Sequence, residues 1–166
     1  MAAPAPKTKA DTMPAFRTCA LLAFTSLALA AAADPPNACT VITADDITPI
    51  SERPVEKFRQ QKAGNPSECG FLDARNGAVL VVSLKEVKYA VKDEFDVERG
   101  NLEKIYRSKA KAIDGLGDGG FWLAANKQMV FRKGKTIASV SFQSAKNQNE
   151  IDTGQIARIL ESRLGK

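Results

Sequence analysis

The sequence predicts an α+β fold: an antiparallel sheet of about five or six strands, packed by two main helices and a short N-terminal helix. Three observations predict it. Short β-prone segments are divided by turn signals of a few residues, as consecutive hairpins are. Two segments with helical periodicity lie between and after those strands instead of alternating with them. No strand–helix–strand rhythm runs through the chain, so strands are expected to pair with their sequence neighbours.

In chain order, Thr43-Ala44-Asp45-Asp46 has the makings of a helix start, with a hydroxyl able to cap and two carboxylates at the positive end of the dipole. Pro49 and Pro54 keep that helix short. A first strand is expected over Val55–Gln61. The strongest hairpin signal follows: Cys69–Ala74 and Ala78–Leu84 are joined through Arg75-Asn76-Gly77, and Asn-Gly tolerates the positive φ of a tight turn. From Tyr89 to Arg107 the period becomes helical. Val91, Phe95, Leu102, Ile105 and Tyr106 share one side, while Asp93, Glu94, Asp96 and Glu98 read as a wet face. Gly100-Asn101 weakens this helix by about 1 kcal/mol if it runs through. Three strands are then expected at Gly120–Ala125, Gln128–Arg132 and Thr136–Phe142. In the last, Ala138, Val140 and Phe142 alternate with Ser139 and Ser141, as on a half-buried strand. The final helix is expected to start at Asp152 as N-cap, with Gln155 at N3 and a staple between Ile151 and Ile156. Its apolar stripe is Ile156, Ile159, Leu160 and Leu164.

The N-terminal residues read as an address. Ala20–Ala33 is an uncharged run behind Arg17 and ahead of Asp34-Pro35-Pro36, the layout of a secretory signal. The run is shorter than the roughly 20 residues a membrane-spanning helix needs. Cleavage is expected after Ala33, or after Ala30, and translation starts at Met1 or at Met13. The expected organisation is a signal peptide over 1–33, a short leader over 34–38 and a single domain over 39–166, periplasmic or secreted and monomeric by default. Lys7, Lys9, Arg17 and Asp11 precede Asp34, which lowers the net charge from +5 to +3. A bias that weak does not support a nucleic-acid binder. Cys19 lies in the expected signal peptide, so Cys39 and Cys69 remain. An oxidising compartment favours their disulfide, and its 30-residue span would stabilise the domain by about 3–4 kcal/mol on the chain-entropy model.

Chemistry is limited by what the 166 residues lack. There is no histidine, which removes the commonest general base, the commonest metal ligand and every Ser-His or Cys-His arrangement. Gly115-Leu116-Gly117-Asp118-Gly119-Gly120 fits the dinucleotide fingerprint, but a strand-like Phe121-Trp122-Leu123 follows where a helix should hold the pyrophosphate. Gly134-Lys135-Thr136 lacks the upstream glycine of a phosphate loop, since Met129 stands there, and Ser108-Lys109-Ala110-Lys111 lacks the partner motifs of serine–lysine enzymes. No cofactor and no enzymatic activity are expected. Asp114 and Asp118 could offer carboxylates to Ca²⁺, although two side chains fall short of the six to eight oxygens it takes. Phe121 and Trp122 would enter the core behind the glycine turn, or act with Asp114 and Asp118 as a contact for a ligand or partner. Arg132, Lys133 and Lys135 gather at one hairpin and could meet an anionic envelope polymer or lipid headgroup.

Cys39 ahead of a TADDI helix, a second cysteine opening a CGF strand, GLGDGGFW, a Lys-Gly-Lys hairpin and a terminal ARILESRL helix together resemble uncharacterised exported bacterial proteins, lipoproteins among them, with a GLGD-x-[AG]-FW segment. The resemblance covers Cys39 to Leu164 and implies a PsbP-like α/β/α sandwich, with no activity and no functional residues to transfer. This chain departs from the lipoprotein members in lacking their lipid-attachment cysteine. The function expected is therefore an exported, non-enzymatic accessory module that binds an envelope protein or a small ligand. The alternatives are a metal-ion protein built on Asp114 and Asp118, and a basic-surface binder of anionic polymer or lipid.

Overall fold

The computed structural model describes residues 36–143 and 149–164. These fall within one compact unit, Ala33–Lys166. The expected signal peptide and its cleavage positions lie outside the described residues.

The fold is α+β, with one seven-stranded antiparallel sheet and four helices among the described residues. Two one-turn helices, α1 (Ala38–Val41) and α2 (Ala44–Ile47), come first. The strands β1 (Lys57–Lys62), β2 (Ser67–Leu72) and β3 (Ala78–Glu86) then form a meander. Helix α3 (Val91–Tyr106) crosses to the far edge. From there β4 (Lys111–Ile113), β5 (Gly119–Leu123), β6 (Gln128–Lys133) and β7 (Thr136–Phe142) meander back, and α4 (Glu150–Arg163) follows. The spatial order β1-β2-β3-β7-β6-β5-β4 joins the two meanders at β3 and β7. Their register sets Leu80 opposite Phe142 and Ser83 opposite Ser139.

The strand count exceeds the five or six expected by β4. Its three residues are too few to show a period of two, so only its pairing with β5 reveals it. β1 starts two residues later than expected and is exposed along its length, an edge strand blunted by Lys57, Arg59 and Lys62. At the other edge of β5, Ala124 and Ala125 leave the sheet for a 3-10 turn over Ala124–Asn126.

Both faces of the sheet carry an apolar layer, because alternate residues point to opposite sides. On the first face Phe71, Leu80, Val82, Trp122, Met129, Phe131 and Val140 pack against Ala38, Ile42 and Ile47 and against Ile156, Ala157 and Leu160 of α4. The second face has a smaller apolar set, Phe121, Val130 and Ile137, which Phe95 of α3 covers with Val91 and Leu102 at its margins. Phe95 and Phe121 meet tilted, with ring centroids 5.3 Å apart. The apolar side expected of α3 is narrower than the sequence suggested. Ile105 is 70% exposed and Tyr106 42% exposed, because the helix passes beyond the apolar corner of the sheet before it ends. Gly100 does not interrupt it.

Cys39 and Cys69 are joined at 2.03 Å, tying α1 to β2. Asp46 and Arg163 then tie α2 to α4: each guanidinium Nη donates to a carboxylate oxygen at 2.7 Å, and Arg163 also reaches the Val41 carbonyl. Asp46 accepts from the Thr43 N–H and hydroxyl as well, so its carboxyl pKa falls from 3.8 to about 2, with the Arg163 bond the largest cause. The cap of α4 corrects the expectation. Asn149, not Asp152, is N-cap, accepting from the N–H groups of Ile151 and Asp152, while the Asp152 carboxylate returns to the Asn149 N–H. The helix thus starts three residues early, and Ile151, 70% exposed, forms no staple.

Candidate functional site

The glycine loop that stood out in sequence is a structural joint. Gly115 and Gly117 take positive φ, and Asp118 bridges the loop to the β6–β7 hairpin. Its N–H donates to the Arg132 carbonyl at 2.8 Å, and its carboxylate accepts from the Gly134 N–H at 2.7 Å. Gly117 is required by proximity, since a Cβ there would stand 2.2 Å from the Arg132 carbonyl oxygen. Leu116 is buried beneath the turn. β5, a strand, begins inside the fingerprint at Gly119, where a helix would be needed. Asp114 lies exposed and apart from this bonding. Among the described residues no three His, Cys, Asp or Glu side chains gather as metal ligands.

Phe121 and Trp122 are core residues. Neighbours on one strand, they point to opposite faces, Phe121 beneath α3 and Trp122 toward α4. Phe121 is fully buried and Trp122 is 7% exposed, so packing occupies both rings. Strand alternation also divides the basic hairpin. Lys133 pairs with Glu161 of α4 at 3.3 Å, on the first face. Arg132 lies toward the second face, beside Gly119, and Lys135 is exposed at the tip.

A different region has the geometry of a binding site. Because α3 covers only the β5–β6–β7 corner of the second face, the remainder of that face lies open alongside the helix. The apolar floor stops at Ile137 and Val130, and a polar floor begins. Ser83 of β3 and Ser139 of β7 stand directly opposite each other, Glu68 of β2 is next to Ser83, and Ser141 is next to Gln128. α3 makes the wall with Glu94, Val97, Glu98 and Tyr106. Two adjoining cavities of about 320 Å³ each occupy this cleft and share Ser83, Glu98 and Ser139 as lining. Each is within the size range of small-molecule sites.

Several polar groups of the cleft are already partnered. Lys85 pairs with Glu94, closing one end between β3 and α3. At the other end Ser141 donates to the Asn126 carbonyl at 3.0 Å and accepts from the Gln143 amide at 3.2 Å, while Asn126 donates to Gln128 at 2.6 Å. The Oδ1 of Asn126 is buried with no donor facing it. Between those ends the side chains of Glu68, Ser83, Glu98 and Ser139 make no hydrogen bond to the described residues. Burial pushes the Glu98 carboxyl pKa up, an effect that Lys85 opposes and Glu94 reinforces. The cleft is thus a polar, net-acidic trough with a half-buried carboxylate at its centre.

Sequence reasoning missed this cleft although it named its parts. Ser139 and Ser141 were the outward positions of a half-buried strand, and Glu94 and Glu98 the wet face of a helix. The available signal was the polar alternate set Ser83, Lys85, Ser139 and Ser141 on two otherwise apolar strands. What it lacked was the β3–β7 register that sets Ser83 against Ser139. No protein-family model matches the chain, and comparison with curated proteins finds no match.

Proposed function

We propose that this protein is an exported, non-enzymatic binding module of the bacterial envelope, and that its ligand sits in the cleft between α3 and the open half of the sheet. One observation carries the reading: Glu98, Ser83 and Ser139 converge on a shared cavity, and among the described residues their side chains have no hydrogen-bond partner. Buried or half-buried polar groups are ordinarily satisfied within a fold, so a set left open to one cavity suits a ligand. The missing histidine and the absence of a nucleophile–base pair in the cleft favour binding over turnover. Export draws support from the apolar leader-like run and from the Cys39–Cys69 bond, which an oxidising compartment maintains. Among the described residues no helix is long and apolar enough to cross a membrane. Helices on both faces of one antiparallel sheet suit the PsbP-like sandwich that the sequence resembles.

A thermal-shift screen of the disulfide-closed chain against polar small molecules tests the proposal. At least one class should raise the melting temperature, and Ser83→Phe, which fills the cleft floor from an open face, should abolish that rise. A hit that stabilises the native protein and Ser83→Phe equally would place its site elsewhere and refute the cleft.

A further inference from the structure

We propose that the occupant of this cleft is a linear polyamine, an alkyl chain bearing ammonium groups; the inference rests on the cleft being a ligand seat. The first argument is an inventory of donors and acceptors. Lys85 is held by Glu94, and the Asn126 and Gln143 amide donors are held by Gln128 and Ser141. The charged groups left over are two carboxylates, Glu68 and Glu98; beside them stand the hydroxyls of Ser83, Ser139 and Tyr106 and the amides of Asn101 and Gln128. Hydroxyls and amides donate or accept as required, whereas the two carboxylates only accept, so the one-sided demand of the set is for donors. An ammonium group offers three donors and no acceptor, whereas a phosphate or carboxylate would add acceptors to acceptors.

Charge agrees with this inventory. Glu68, Glu94 and Glu98 oppose Lys85 alone, in a chain whose net charge is +5. The cleft is therefore electronegative within a basic molecule, and a cation is drawn to it over the rest of the surface. A metal ion fits less well, since no three acidic or thiol ligands gather among the described residues and hard cations want six or more oxygens. One carboxylate with flanking hydroxyls meets the smaller demand of an ammonium.

Shape selects a chain over a single amine. The wall of α3 from Glu94 to Tyr106 runs about 18 Å at 1.5 Å per residue. Along it Val97 presents apolar surface between Glu94 and Glu98, and Leu102 presents more beyond them, against which methylene segments of a chain can lie. Burial raises the Glu98 carboxyl pKa by disfavouring its charge. A cation beside it would relieve that penalty.

The test is calorimetry and amide chemical-shift mapping of the full, disulfide-closed chain with spermidine. Spermidine should bind, shift the amides of Ser83, Glu98 and Ser139, and lose about tenfold or more in affinity in Glu98→Gln. Glu98→Gln should melt no lower than the native protein, since it removes a desolvated charge that no described residue bonds. Glu68→Gln should weaken binding independently and serves if the first variant fails to fold. No spermidine binding, undiminished binding in both variants, or tighter binding of trilysine peptide than of spermidine would overturn the proposal. A neutral sugar that shifts the cleft amides while spermidine does not would overturn the polyamine and leave the ligand seat standing. A cleft that answers to no compound would overturn both.

Discussion

Replacing Gly117 by Ala isolates the cost of a close backbone approach from the cost of a left-handed conformation. Gly115, Gly117 and Gly134 have φ of +68°, +58° and +56°. Around Gly115 and Gly134 an added Cβ meets nothing within 4 Å, whereas at Gly117 it would stand 2.2 Å from the Arg132 carbonyl oxygen. Alanine in the left-handed region costs about 1 kcal/mol wherever it is placed. At Gly117 the loop must also retreat by roughly 1 Å to restore van der Waals contact. That retreat pulls on the Asp118 N–H, which donates to the same carbonyl at 2.8 Å, and losing such a bond costs about 1 kcal/mol more. We expect about 1 kcal/mol for Gly115→Ala and Gly134→Ala, and about 2 kcal/mol for Gly117→Ala. Urea unfolding with the disulfide intact, followed by Trp122 fluorescence, measures all three. If Gly117→Ala falls within about 0.5 kcal/mol of Gly115→Ala, the loop is not pinned to the hairpin and its role as a joint is wrong.

Three other expectations concern stability. The Asp46 carboxyl, lowered to about 2 by Arg163 and Thr43, contributes stability above its ordinary pKa of 3.8 that is lost as pH falls through about 2. With the Arg163 side chain 37% exposed, screening limits this to about 1 kcal/mol, so urea unfolding should separate Asp46→Asn from the native protein at neutral pH and bring them together near pH 2. An equal gap at both pH values would remove the linkage. Gly100→Ala should stabilise the domain by about 0.5–1 kcal/mol, since α3 runs through Gly100 and nothing lies within 4 Å of an added Cβ; a lower melting temperature would contradict this. Replacing Cys39 and Cys69 together by Ala should cost about 3–4 kcal/mol from the 30-residue loop, read as a fall in the urea midpoint, and an unchanged midpoint would refute it.

Local order was legible in the sequence and long-range order was not. Asn76, with φ +63°, sits at the turn that Asn-Gly announced, and Asp73 completes it by accepting from the Arg75 and Gly77 N–H groups. The buried stripe of α4, Ile156, Leu160 and Leu164, follows from helical spacing alone. The cap of α4 was misread because Asn149 and Asp152 are both good N-cap residues three positions apart, and they share one capping box. The cleft depends on β3 meeting β7 across more than fifty residues of sequence, and on α3 covering one corner of the sheet. Neither follows from periodicity, which fixes the side a residue points to and not what faces it. Trp122, the most conspicuous side chain in the sequence, went to the core because its strand turned it toward α4.

The most direct test of the ligand seat is amide chemical-shift mapping of the isotope-labelled, disulfide-closed protein against the low-molecular-weight fraction of a bacterial envelope extract. The account expects shifts concentrated at Ser83, Glu98, Ser139 and Ser141, with the Gly115–Gly120 loop and β1 unmoved. Shifts confined to that loop, to β1 or to the Arg132–Lys135 hairpin, with the cleft silent, would contradict it.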